Sequence, residues 1–209
     1  MNPILKYGIG LLLLGVVGYN SVYIKKLDEV KTAGMSEVGK FNALQYAANF
    51  WTNQLLPAAP RSATDLLTLL PLLQTDKEKA FTIYSHALGI GNIRYFLVKG
   101  EGAVTTMGEN DITITLPTGK PVHIATEYIF GNATRDASGI IKITDFENTT
   151  DLNNVSAELN ELIRKQVIPT LKTNTKPGQK LTFIGAMELN QAHLHLDELM
   201  IIPIKTMER

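Results

Sequence analysis

The hydrophobic period changes from helical to strand-like at Gly91, and that change limits the folds open to this chain. Before Gly91 apolar residues recur every three or four positions; after it they mostly alternate. Phe41, Leu44, Ala48, Trp51 and Leu55 fall on one helical face, and Pro57 and Pro60 are expected to stop that helix. Residues 62–65 read as a cap for a Leu-rich segment that runs to Gln74 and contains Pro71. A third helix is expected over residues 76–88, ended by Gly89 and Gly91.

Beyond Gly91 the signals are those of strands. Residues 95–98 open one that Gly100 and Gly102 are expected to interrupt with a bulge or a close crossing. Ile112, Ile114 and Leu116 alternate with Thr113 and Thr115, and residues 117–120 carry turn chemistry. A third strand is expected over residues 122–130, and Ile140, Ile141 and Ile143 suggest a short extra one. The helical period returns over residues 154–171 with Val155, Leu159, Leu162, Ile163 and Val167 as its stripe and Asp151 or Asn154 as its cap. Residues 181–189 and 199–207 are the last two strands. The order β-β-β-α-β-β predicts an α+β fold, an OB-like five-stranded barrel whose helix bridges the third and fourth strands and plugs one end. A mixed β-sandwich with a packed helix is the alternative. The expected division is a membrane anchor or signal segment at residues 1–26, a helical region at 27–90 and the barrel at 91–209.

Residues 7–24, YGIGLLLLGVVGYNSVYI, lie between Lys6 and the pair Lys25-Lys26 and contain no charge. As a helix they span roughly 27 Å, against a hydrocarbon core of about 30 Å. An uncleaved anchor and a secretory signal with its apolar core at residues 9–17 are both compatible with this pattern. Lys25, Lys26 and Lys31 outnumber Lys6, so charge does not orient the segment, and export of the bulk is inferred from the short N-terminal tail.

The hydrophobic share, 44%, is that of an ordinary globular protein. Lys+Arg and Asp+Glu both number 20, and a chain without basic excess is a poor match to a nucleic-acid partner. There is no Cys, which removes thiol nucleophiles, disulfides and thiolate metal sites.

Several blocks in fixed order carry a family resemblance. They are Leu27-Asp28-Glu29-Val30, Tyr46-Ala47, Phe50-Trp51, Leu55-Leu56-Pro57 and residues 95–102, YFLVKGEG. They continue with Phe130-Gly131-Asn132-Ala133, residues 135–139 (RDASG), Asp145-Phe146 and residues 156–160 (SAELN). The chain resembles the predicted bacterial periplasmic lipoproteins known as domain of unknown function 2291. The resemblance implies an exported protein with an OB-fold and a genetic link to sugar-type ABC transporters; it implies no catalytic residues. Without a Cys this sequence cannot be lipidated as the family's name suggests, so anchoring falls to the N-terminal helix.

The stretch GNATRDASGIIKITDFENTTDLNNVSAELN, residues 131–160, is dense in Asn, Asp, Thr and Ser. Such residues partner the unpaired backbone groups where a chain leaves a sheet for a helix, and we read the stretch first as a polar corner. A ligand site is the second reading: Arg135 offers a planar fork of donors, and Asn132, Asp136 and Asp145 offer partners for sugar hydroxyls. His193 and His195, followed by Asp197 and Glu198, form the most metal-like cluster, although connections between strands are polar in any case. Glu127 with Asp136, or Asp145 with Glu147, are carboxylate pairs of the kind glycoside chemistry uses, at gaps that sequence does not fix. Trp51 and its neighbours Phe41, Tyr46 and Phe50 are read as core rather than as a stacking platform.

These readings favour an envelope-anchored, non-catalytic accessory or binding protein without a cofactor, held in the bacterial inner membrane by one span with its bulk in the periplasm. The expected partners are the cytoplasmic membrane and either a carbohydrate or an ABC-transporter component, not nucleic acid. An exported hydrolase using carboxylates or a His-bound metal is the alternative. Alkaline phosphatase fused after Arg209 is expected to be active in a bacterial host, because it matures only outside the cytosol; an inactive, cytosolic fusion would reverse the orientation.

Overall fold

The computed structural model describes residues 41–208. The membrane-like segment and its connector lie outside the described residues, and no helix among the described residues is long and apolar enough to cross a membrane. Five strands form one closed barrel: β1 (Ile93–Met107), β2 (Asp111–Thr115), β3 (Pro121–Ala125), β4 (Lys180–Asn190) and β5 (Met200–Glu208). Neighbours run β1-β2-β3-β5-β4, and β4 returns to β1. Only the β3–β5 pairing among these is parallel, and it is short, with His123 opposite Met200 and Ile124 opposite Ile201. The α+β, OB-like architecture is the expected one; the sheet closes on itself and is not a sandwich.

Closure rests on β1. Its residues 93–103 pair with β4, and residues 103–107 pair with β2, so one strand belongs to both sides of the barrel. The backbones approach closely where the partner changes. A Cβ at Gly102 would stand 2.3 Å from the Thr115 carbonyl oxygen, and one at Gly100 would stand 2.9 Å from the Phe183 ring. The two glycines therefore do not interrupt the strand, as the sequence suggested; they admit the crossing, and the irregularity falls later, between Val104 and Thr106.

Side chains divide into two cores. Phe96, Val98, Ile112, Ile114, Val122, Ile124, Phe183 and Ile201 fill the barrel interior. Tyr95, Leu97, Ile184, Ala186, Ile202 and Ile204 point outward from β1, β4 and β5 into a second core. The helices that cover this outer face are α1 (Ala43–Phe50) with its continuation α2 (Leu56–Ser62), and α6 (Thr149–Leu162) with its continuation α7 (Ile168–Asn174). Trp51, Leu55, Val155, Leu159 and Ile163 are buried there, so the aromatic cluster around Trp51 is core. The barrel plug differs from expectation. The helix between β3 and β4 lies on the outer face with its whole stripe, and only Leu171, beyond the stripe, joins the barrel interior. The plug is α3 (Leu66–Thr75), through Leu66, Leu69, Leu70 and Leu73, together with Phe81 of α4 (Lys77–Tyr84). The physical reason is the pattern: a long, one-sided stripe needs a broad surface, whereas a short helix apolar nearly all round suits a closed end.

Pro57 does not stop the first helix either. Trp51–Leu55 is a π-helical turn in which the Leu56 N–H bonds the Trp51 carbonyl, five residues back. Ile163–Val167 is a second such turn, with the Ile168 N–H on the Ile163 carbonyl, again immediately before a proline, Pro169. Proline lacks the N–H and its ring crowds the carbonyl four residues back. A widened turn changes that geometry, so both helices continue past their prolines.

Three local expectations also change. The third strand ends at Ala125 because the Thr126 and Glu127 amides turn to the Asn110 carbonyl. Ile140, Ile141 and Ile143 form no strand; Ile141 is buried in the outer core and Ile143 opens a 3-10 turn, Ile143–Asp145. The cap of α6 is Asn148, whose side-chain oxygen accepts from the Asp151 N–H at 2.9 Å. Gly102→Ala is expected to cost about 1–3 kcal/mol, as overpacking does, because backbone blocks the new methyl. A lowered midpoint in a urea titration checks this.

Candidate functional site

The chain leaves β3 through a tight corner between Gly131 and Gly139, both at positive φ (80° and 65°). Within it α5 (Ala133–Asp136) is a single turn, and all four of its residues are buried. Arg135 and Asp136 form a two-pronged ion pair: Nε donates to Oδ1 at 2.5 Å and Nη2 to Oδ2 at 3.1 Å, with side chains 4% and 2% exposed. Arg135 Nη1 also donates to the Leu152 carbonyl at 3.4 Å, and the Leu88 N–H points at Asp136 Oδ2 at 3.5 Å. The pair thus joins α5, α6 and the loop before β1.

The other polar residues of the corner are partnered as a corner requires. Asn132 Oδ1 accepts from the Ser156 hydroxyl at 3.1 Å, and Asn160 Nδ2 donates to the Gly131 carbonyl at 2.9 Å. Arg164 donates to the Ile129 carbonyl and pairs with Glu161. Asp145 is exposed and accepts from the Lys142 N–H at 3.0 Å, closing its own turn. These bonds match the polar-corner reading of the stretch.

The same residues also face open space. A cavity of about 330 Å³ is walled on one side by Tyr95, Asn132, Arg135 and Asp136, and elsewhere by Leu88, Ile143, Leu152 and the loop of residues 89–93. Burial, with the Glu188 and Asp136 carboxylates adding, pushes the Tyr95 phenol above its ordinary pKa; an Asn132 hydrogen bond and the Arg135 charge oppose this. Tyr95 is therefore a neutral hydroxyl. Burial also raises the Glu188 carboxyl, which stands opposite Tyr95 on β4. His86 is lowered by burial and by Arg94, and its ring fills the space a Cβ at Gly139 would need. A second recess of about 300 Å³ lies across Asn132, bordered by Asn153, Ser156, Asn160, Arg164 and Phe130. The wall of the larger cavity offers uncharged hydrogen-bonding groups and a charge pair neutralised within itself.

Of the residues singled out in the sequence, Asn132, Arg135 and Asp136 come together at the cavity and Asp145 does not. His193 and His195 are exposed in the β4–β5 connection, where Leu194 and Leu196 between and beside them pack on the barrel core. No group of three His, Asp or Glu side chains placed to hold a metal ion occurs among the described residues. Glu127 pairs with Lys172 at 2.5 Å, away from Asp136, whose partner is Arg135. Tyr95 and the loop of residues 89–93 were missed. Tyr95 is the one residue with a polar tip in an otherwise apolar run, YFLV, at the head of one of the blocks that carry the family resemblance.

A family model, described as predicted periplasmic lipoprotein (DUF2291), matches residues 12–206. The chain belongs to this family. Membership makes it one of an exported, envelope-associated group of unknown function. No curated protein matches this DUF2291 chain. A crystal structure of an OB-fold protein from Thermotoga maritima superimposes with a TM-score of 0.74 at 23% identity, covering 81% of this chain and 99% of that one. At that identity the likeness carries the fold.

A double-mutant cycle separates the two sides of the ion pair. Arg135→Met or Asp136→Leu alone is expected to cost about 3–5 kcal/mol, because each leaves a buried charge unpaired. The double variant should recover most of that in thermal unfolding; additive losses would show that each side chain acts through other contacts.

Proposed function

We propose that this DUF2291 protein is a non-catalytic binding protein of the bacterial envelope, held at the inner membrane by its N-terminal segment, with its globular part outside the cytosol. Its ligand is a small, uncharged, hydroxyl-rich molecule of the carbohydrate class, which it serves as an accessory to uptake. The observation that carries this reading is the cavity of about 330 Å³ beside the Arg135–Asp136 pair. That volume sits at the low end of the range for small-molecule sites, about 300–1,000 Å³. The paired charges cancel, which disfavours an ionic ligand. The polar tips of Tyr95 and Asn132 can exchange hydrogen bonds with hydroxyls, while Leu88 and Leu152 offer apolar contact. The apolar, uncharged stretch at residues 7–24 supports the anchoring.

Thermal unfolding with ribose, glucose, galactose and myo-inositol tests the reading. At least one is expected to raise the midpoint, since a ligand bound only by the folded state stabilises it. Asn132→Ala should abolish the rise, and sulfate or acetate should give none. If none of the four neutral compounds shifts unfolding or gives heat in calorimetry, the reading falls.

A further inference from the structure

The loop between α4 and β1 is built unlike the rest of the surface. Gly89, Ile90 and Gly91 all line the cavity, yet Ile90 is fully solvent-exposed, at 110% of its reference area. Neither flanking glycine has an atom within 4 Å of its Cβ position, and Gly91 takes φ +142°, a conformation side-chain-bearing residues rarely adopt. The tip is therefore free of packing. Its ends are not. Ser85 and His86 pair with Phe96 and Tyr95, and the Asn92 carbonyl accepts from the Gln191 N–H at 2.7 Å. At the near end, the Leu88 N–H points at Asp136 Oδ2. Elsewhere on the cavity, Ile143 and Ile93 stand 51% and 38% exposed. Three exposed isoleucines thus line the same cavity as Asn132, Arg135 and Asp136. Swinging the tip inward would remove all three from water, which is favourable. A glycine on each side gives the backbone freedom to swing.

We propose that residues 89–91 are a lid, with Ile90 closing on Ile143 over an occupied cavity. The inference rests on the binding reading for its purpose, but the motion itself stands on the loop. In the present conformation the lid is open over Tyr95 and Asn132; in the closed one Ile90 shields the hydroxyl-binding wall from water. The Leu88 tether couples the lid to Asp136, so a ligand that shifts the Arg135–Asp136 pair alters the loop's anchorage.

The full chain contains no cysteine, so paired cysteines report the motion cleanly. Ile90→Cys with Ile143→Cys, both at exposed positions, is expected to form a disulfide readily under mild oxidation without ligand. Ile90→Cys with Ile83→Cys, an exposed site on α4 that does not line the cavity, should not. The oxidised first pair should exclude glucose or whichever tested sugar binds the reduced protein, and reduction should restore binding. Absence of a crosslink, equal crosslinking of both pairs, or a crosslink that leaves sugar association and release unchanged would each overturn the lid. Should no sugar bind even the reduced protein, the crosslink yield alone decides the lid, and the binding reading fails separately.

Discussion

The barrel closes because β1 can serve two neighbours at once, and that double service depends on the absence of a side chain at Gly102. A methyl group there would meet the Thr115 carbonyl carbon and oxygen, which are backbone and have nowhere to go. The rest of the architecture follows from this crossing. Once β1 pairs with both β2 and β4, five strands enclose an interior that the leucines of α3 fill, and the outer sides of β1, β4 and β5 are left as one apolar face. That face calls for a second layer, supplied by the helices around Trp51 and Leu159. The Arg135–Asp136 pair lies under that layer, where its charges see little water and each needs the other.

Much of this was legible from side-chain order. Ile112-Thr113-Ile114 and Val122-His123-Ile124 alternate because only one side of β2 and β3 is covered. The uninterrupted run Tyr95-Phe96-Leu97-Val98 reads differently, as a strand with both faces buried. What the sequence could not show is which helix meets which face. Leu66–Thr75 and the Val155 stripe are both apolar, and only the closed barrel distinguishes a circular mouth from a broad wall. The prolines misled for a similar reason. Their effect depends on the backbone hydrogen-bond pattern before them, and a widened turn makes both harmless.

The candidate site was half legible. The Arg-Asp-Asn cluster stood out as polar residues in an unexpected density, and the structure places three of its members on one cavity wall. Asp145 looked equivalent in sequence but turns to its own Lys142 amide. Tyr95 and the residues 89–93 loop gave no comparable signal, because an aromatic in a strand and a glycine after a helix have ordinary structural uses.

The two widened turns leave a numerical trace in the chain. Ala47, Trp51, Leu55, Ala59 and Ala63 are buried at intervals of four, and so are Val155, Leu159, Ile163, Val167 and Leu171. At 3.6 residues per turn, steps of four would carry such a row around the rod by about 40° each, until its end faced away from its start. The wide turn in the middle of each rod takes up part of that rotation. Ala47 to Ala63 and Val155 to Val167 then stay within one outer core, and a proline beyond each row's midpoint is a by-product of the same correction.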